Sequence, residues 1–434
     1  MQRENKKLYL ISFLIFLSSA VFILNGCVDE NIVPSEGNIS AQMYDCNLFP
    51  GRIGWSTISI GPYPRILPDY NGIAKLTASS FPYDLRVTFD DKYHIPEYTV
   101  YDGVTNSNNC IMPTDNFETW EWKAVYLNLK YPVIPEGKKA LIKFISSDPF
   151  GDNNWIGYEA DEGTSWTNYY IYYPSIKNQI TGKFLFIEFS FDNYYGQVTS
   201  FDNYGEKITD VSEFSKDTII FTEDDIKTNP SDCLLYFDFK LPDKIHSSIC
   251  KTYFSFNGYN SSSDLPVGYC HPGYEFIFPS NLPIDFKIKV YDEFLPDKNI
   301  ISAKQEKWFY IEPCSNNLLD NSYQPPLISP PDKTNKINDN CLFSYGSEGN
   351  GIYYLVFSND RYTTQKLVTS KNKITFGEIK NKGITFLPGS LYYWWVEQPS
   401  GFSSVDEYLS EPYILNPKYT SKICSNVRTF TTAP

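Results

Sequence analysis

Histidine is scarce in this chain. His94, His246 and His271 are the 3 present among 434 residues, beside only 3 Met. Histidine is the commonest general acid–base group and metal ligand, so a catalytic triad or a histidine-rich metal centre has almost no material here. His94 precedes Ile-Pro, His246 lies near Cys250 and His271 adjoins Cys270, and these isolated settings suit structural or exposed roles. Gly-x-Ser-x-Gly, His-Glu-x-x-His, phosphate-loop and Gly-x-Gly-x-x-Gly motifs are all missing. With them go the serine-elbow hydrolases, the zincins and the nucleotide-binding folds those motifs mark. No Cys-x-x-Cys occurs, which leaves a structural zinc site without its usual spacing. Basic residues are short too. The 37 Lys+Arg face 51 Asp+Glu, a net charge of −14, and such a surface excludes nucleic acid as a partner by repelling phosphate backbones.

Aromatic residues are what the chain has in excess: 17% of the composition, led by 35 Tyr and 31 Phe. Tyr, Phe, Thr and Ile at this density suit pleated, half-buried surfaces. With 29 Pro and 24 Gly as punctuation, the chain reads as all-β, a series of tandem β-sandwich domains of immunoglobulin-like type. Paired carboxylates are the remaining route to hydrolysis. Glu118 and Glu121 flank Trp120, but on a strand residues three apart point to opposite faces. The expectation is a protein that is not an enzyme and takes no cofactor. An enzyme or accessory subunit of polysaccharide processing, with a site assembled from loops, is the alternative.

The N-terminus carries Arg3, Lys6 and Lys7, then the apolar run Leu8 to Leu24, then Asn25-Gly26-Cys27. A basic stretch, an apolar core and small residues form a secretory signal. The rival is a retained helix, although the run falls short of the ~20 residues that cross a bilayer. Leu24-Asn25-Gly26-Cys27 resembles the lipobox of bacterial lipoproteins, with Asn25 where Ala or Ser is usual. The resemblance implies cleavage after residue 26 and lipidation of Cys27, with palmitate-type chains, and hence a membrane partner held through the anchor. Acidic Asp29 and Glu30 just beyond resemble the surface-export signal of Bacteroidetes lipoproteins, which points to the outer membrane and the cell surface. Residues 27–41 then read as anchor and tether.

Setting Cys27 aside, Cys46, Cys110, Cys233, Cys250, Cys270, Cys314, Cys341 and Cys424 remain. An even number in an exported chain favours disulfides. Cys250 with Cys270 is the easiest local bridge and Cys46 with Cys110 a candidate staple, but the connectivity is open.

Four units follow the tether. In residues 42–125, Ile58-Ser59-Ile60, Ala74-Lys75-Leu76 and Leu85-Arg86-Val87-Thr88-Phe89 alternate as strands. Pro68-Asp69-Tyr70-Asn71-Gly72 between them reads as a hairpin turn. Asp69, Gly72, Pro82, Tyr83, Asp84, Leu85 and Val87 resemble the carboxypeptidase-regulatory-like, transthyretin-type β-sandwich. Residues 273–288 align without a gap to 72–87, so 229–320 is expected to be a related sandwich. Residues 126–228 hold further strands and are read as a sandwich too. In 321–434, Tyr392, Trp394 and Val396 share one strand face, and "Tyr-x-Trp-x-Val" with a final "Thr-Phe-x-Thr" resembles the bacterial fibronectin type III domain. That resemblance implies an inward Trp394 and leaves Trp395 outward or in a domain contact.

Two leads to function remain. Asp148, Asp152 and Asp161 lie in acidic loops that offer the hard oxygens calcium favours. Trp166, Tyr170, Tyr172 and Trp395 sit in aromatic runs with more rings than one sheet face buries; they suit a protein or polysaccharide ligand, or equally burial of facing domains against each other.

Overall fold

Ile39, Ala41 and Met43 alternate with Asn38, Ser40 and Gln42, which makes Gly37–Met43 a strand with one buried face. Residues 37–41 therefore belong to the first sheet and not, as expected, to the tether. The computed structural model describes residues 37–45, 50–90, 96–113, 122–146, 158–174, 178–192, 197–212, 218–229, 232–241, 247–256, 259–262, 274–279, 285–294, 303–311, 315–346, 351–359, 364–412 and 419–434. The described residues are almost entirely β, arranged as tandem sandwiches.

The first three units share one wiring. In the first, Gly37–Met43 lies between antiparallel Ile73–Ala78 and parallel Asn108–Ile111. Its second sheet runs Thr57–Ile60, Tyr83–Phe89, Glu97–Val104, all antiparallel. In the third, Asp232–Lys240 lies between antiparallel Tyr274–Pro279 and parallel Asn316–Asp320. Ser247–Phe256, Asp285–Phe294 and Ala303–Tyr310 form its second sheet. The aligned segments 72–87 and 273–288 thus supply equivalent strands. The middle unit repeats the pattern without the sequence likeness. Trp122–Lys130 lies between antiparallel Trp166–Pro174 and parallel Thr218–Ile220. Lys138–Ser146, Gln179–Asp192 and Gln197–Ser212 pack against them over Leu127, Phe144, Tyr169, Phe184 and Phe186.

The Pro68–Gly72 turn forms, but it is not a hairpin. Asp69 Oδ1 accepts from the Ile73 amide at 2.9 Å, and Gly72 sits at φ +80°, where an added Cβ would stand 2.6 Å from the Gly51 carbonyl oxygen. The flanking strands lie in different sheets. Residues 61–67 intervene, folding back so that Ile66 and Ile58 exchange backbone hydrogen bonds, and the turn redirects the chain from one sheet to the other.

The last unit has Leu327–Ser329, Leu342–Tyr345 and Lys373–Thr375 in one sheet. Thr364–Thr369, Tyr353–Ser358, Leu391–Pro399 and Arg428–Thr432 make the other, with Thr334–Ile337 parallel to the last strand. Tyr392, Trp394 and Val396 share a core with Phe343, Tyr345 and Phe430, the register read from the sequence. Of the two settings expected for Trp395 the domain contact is the one found, which corrects it as an exposed binding residue: it is only 2% exposed and packs among Val87, Tyr101 and Tyr408. The cause is a parallel pairing of Thr364–Thr369 with Glu97–Val104, which joins the first and last units into one sheet covered on both faces. The short helix Val405–Ser410 closes the same core through Val405, Tyr408 and Leu409, and its Asp406 accepts from the Thr105 and Asn106 amides at 2.8 and 3.1 Å. Charges line the junction. Lys366 pairs with Glu97 at 2.8 Å with both side chains nearly inaccessible. Lys382 bridges Asp84 and Asp102 at 2.8 and 2.5 Å. Burial acts to raise the Asp102 carboxyl, but hydrogen bonds from Lys382 and Thr369 outweigh it and hold it below its ordinary range.

The cysteine expectation also needs correction. Cys341 and Cys424 are free thiols, and no disulfide is formed among the described residues. Cys424 points into the core and Cys341 is half-buried, so both act as small apolar side chains, and burial pushes both thiols up. The Cys110 thiol is directed at the Ser410 carbonyl oxygen at 3.5 Å. Cys27, Cys46, Cys270 and Cys314, and the side chains of Cys233 and Cys250, lie outside the described residues.

Candidate functional site: an aromatic sheet face

Thr167, Tyr169 and Ile171 of the strand Trp166–Pro174 point into the middle sandwich, so period two turns Trp166, Asn168 and Tyr170 to solvent. The neighbouring strand adds an outward set in register: Lys130 opposite Trp166, Asn128 opposite Asn168 and Tyr126 opposite Tyr170. Thr218 and Ile220 extend the face on the third strand. Trp166 is 62% exposed, Tyr126 64% and Tyr170 43%, so three large rings stand on one flat surface. Tyr126 and Tyr170 meet edge to face, centroids 4.5 Å apart. Trp166 stands four residues along the strand, about 13 Å away at ~3.3 Å per residue, with the two asparagine amides between.

The platform is rigid for reasons visible beneath it. Tyr169 packs edge-on to Phe184 at 5.3 Å, and its hydroxyl accepts from the Phe144 amide at 3.0 Å. The loop before Trp166 is pinned by Thr164, whose hydroxyl donates to the Asp161 carbonyl at 2.6 Å, and by Glu162, which accepts from the Gly137 amide at 2.8 Å. Gly163 to Asn168 and Tyr170 line an open concavity of about 520 Å³. Such a surface offers ring faces for stacking and amides for hydrogen bonding, without a closed cavity for a small ligand.

Trp166 and Tyr170 are therefore where the sequence puts them. The Tyr172 side chain, Asp148, Asp152, all three histidines, Glu118 and Glu121 lie outside the described residues. Asp161 is exposed and faces Lys139 at 3.5 Å, and no group of metal-ligating side chains occurs among the described residues. Tyr126 was not singled out from sequence, although the alternation Ala124, Tyr126, Asn128, Lys130 marks an outward face that includes it.

Several described carboxylates elsewhere are engaged structurally. Burial acts to raise Glu306, but Lys289, at 2.8 Å, and Lys422 overcome it and, with the Tyr419 hydroxyl, hold it at about 2. Asp225 caps the turn at Thr222, whose amide and hydroxyl donate to it, and with Lys207 beside it sits at about 2. Lys138 bridges Glu188 and Asp202 at 2.9 and 3.5 Å.

No protein-family model and no curated protein sequence matches the chain. Among solved structures it is similar to the Bacillus anthracis TIE protein, at 12% identity over 66% of this chain and 50% of that one, with a TM-score of 0.15. It is also similar to BcpA, the major pilin subunit of Bacillus cereus, at 8% identity over 66% of this chain and 99% of that one, again at 0.15. The chain thus spans half the length of the first. At these scores neither likeness carries an argument about function.

Proposed function

We propose that this protein is a non-catalytic surface lipoprotein, held in the outer membrane through Cys27, whose middle sandwich presents Trp166, Tyr170 and Tyr126 to a polysaccharide. The flat row of exposed rings with Asn128 and Asn168 between them carries this reading. Sugar rings stack their C–H faces on aromatic side chains, and amides satisfy the hydroxyls around them. On the same reading the three units of common wiring are transthyretin-type sandwiches. The last unit, with its two sheets and a parallel pairing at its final strand, is a fibronectin type III-like domain. These modules space and orient the binding face; they do not perform chemistry.

Electrophoresis of the mature chain through gels containing a panel of neutral and acidic polysaccharides tests the reading. The wild-type chain is expected to be retarded by at least one of them, and Trp166→Ala and Tyr170→Ala to migrate as in a plain gel. Free migration of the wild-type chain in every gel would overturn the reading, as would full retardation of both variants.

A further inference from the structure

The first unit carries a second exposed apolar surface, remote from the aromatic face in sequence. Residues 62–67, Pro-Tyr-Pro-Arg-Ile-Leu, are all exposed, with Tyr63 50%, Ile66 37% and Leu67 49% accessible. The loop is not loose. Ile66 and Ile58 exchange backbone hydrogen bonds at 2.7 and 2.9 Å, the Tyr63 amide donates to Ile60 at 3.1 Å, and the Tyr63 hydroxyl bonds Ser79 Oγ at 3.1 Å. Tyr63, Pro64 and Ile66 overhang an apolar concavity of about 320 Å³ floored by Ile60 and Leu76. A fixed loop that holds Tyr63, Ile66 and Leu67 together in water has the character of an interaction site.

The place where the chain enters the fold identifies that partner. Gly37 pairs with Ala78 and Asn38 with Thr77, and Thr77 and Ser79 line the same concavity as Tyr63. The first strand thus begins beside the exposed loop. Residues 28–36 separate it from Cys27, a reach of at most about 35 Å even when fully extended. Charge agrees. In a chain of net charge −14, residues 61–67 contain no acid and one base, Arg65. An amphipathic tyrosine, aliphatic side chains and an arginine make the combination that sits at a bilayer surface carrying anionic headgroups.

We infer that the loop 62–67 docks on the lipid surface that anchors the protein. Tyr63, Ile66 and Leu67 enter the interface and Arg65 meets anionic headgroups, which fixes the orientation of the first unit on the membrane. This rests on the lipoprotein reading for the anchor, but the docking contact itself needs no acyl chain.

The test is flotation of the mature Cys27→Ser chain, which lacks lipid, with vesicles of phosphatidylethanolamine and phosphatidylglycerol. The chain is expected to float with these vesicles. Arg65→Glu is expected to weaken partition at least about fivefold, the worth of one basic side chain near an anionic surface. The triple variant Tyr63→Ser/Ile66→Ser/Leu67→Ser should lose flotation while still unfolding cooperatively in urea, at a midpoint lowered modestly by the lost Tyr63–Ser79 hydrogen bond and the contacts of Ile66. Leu67→Ser alone, at the loop's more exposed aliphatic position, should weaken flotation at the wild-type midpoint. Trp166→Ala should float like the parent chain. Failure of the parent chain to float, or equal flotation of parent and loop variants, would overturn the inference. So would a loop-dependent dimer, seen by sedimentation, that does not bind vesicles. Fatty-acid labelling of Cys27 in cells is scored separately: labelling without flotation removes the docking alone, and flotation without labelling removes the anchor alone.

Discussion

Trp395→Ala removes a large ring from the core shared by the first and last units. The side chain is 2% exposed and packed among Val87, Tyr101 and Tyr408. Truncating a buried large aromatic costs about 3–5 kcal/mol. Its Nε1 also donates to Glu397 Oε1 at 3.0 Å, and a hydrogen bond to a charged group is worth about 1.5–3 kcal/mol. Lys422 at 3.3 Å still partners that carboxylate, so the added loss belongs at the low end of the range. Trp394 supplies the contrast. It is fully buried on the opposite face, and its indole N–H finds no acceptor among the described residues. Both alanine variants should be strongly destabilised, and Trp395→Phe should cost more than Trp394→Phe by about 1–2 kcal/mol, the worth of the lost hydrogen bond. Urea unfolding of the mature chain, followed by far-ultraviolet circular dichroism, measures these differences. A Trp395→Ala loss within about 0.5 kcal/mol, the size expected at a surface site, would refute the shared core.

The remaining predictions concern buried charge and thiols. Lys366→Met takes the counter-ion from the Glu97 carboxylate, 1% exposed, and leaves it the Thr99 hydroxyl at 3.0 Å. It should cost about 3 kcal/mol in urea unfolding, with much of the loss recovered in Lys366→Met/Glu97→Gln; no recovery would contradict the pairing. Glu306 is depressed from 4.5 to about 2, so its stabilising contribution is complete above about pH 4.5 and is lost as pH falls through about 2. Glu306→Gln should therefore be less stable than wild type at neutral pH and lose less stability across that acid window, and parallel pH profiles would contradict this. Native protein should expose Cys424 to a maleimide only after unfolding, since it is 0% exposed, and rapid native labelling at that position would contradict its burial.

Strand existence was legible where one face is buried and the other wet. Leu85, Val87 and Phe89 alternate with Arg86 and Thr88 and occupy the predicted strand. The exposure of Trp166 and Tyr170 was anticipated on a different ground, the excess of rings over what one sheet face can bury, and the alternation of Thr167, Tyr169 and Ile171 explains it. Burial on both faces was legible only as one of two alternatives, at Trp395. Tyr353-Tyr-Leu-Val-Phe-Ser358 is buried throughout, and such a continuous apolar run is the mark of a strand covered on two sides. The double tryptophan at 394–395 carries the same mark. The pairing that causes it joins segments such as Glu97 and Lys366, 269 residues apart, and local patterning holds no record of a partner so distant. At Cys341 and Cys424 the parity argument failed for a related reason. An even count says nothing of whether a thiol such as Cys424 has turned into a core instead of toward another sulfur.

The central claim is that the aromatic face of the middle sandwich binds polysaccharide, and titration calorimetry tests it most directly. Oligosaccharides cut from whichever polysaccharide retards the mature chain would be titrated into wild type and Trp166→Ala. Loss of one stacking ring, at about 0.5–1.5 kcal/mol beyond its buried area, predicts binding weaker by at least about two- to tenfold in the variant, with an unchanged unfolding midpoint. Equal affinity of the two proteins would contradict the claim.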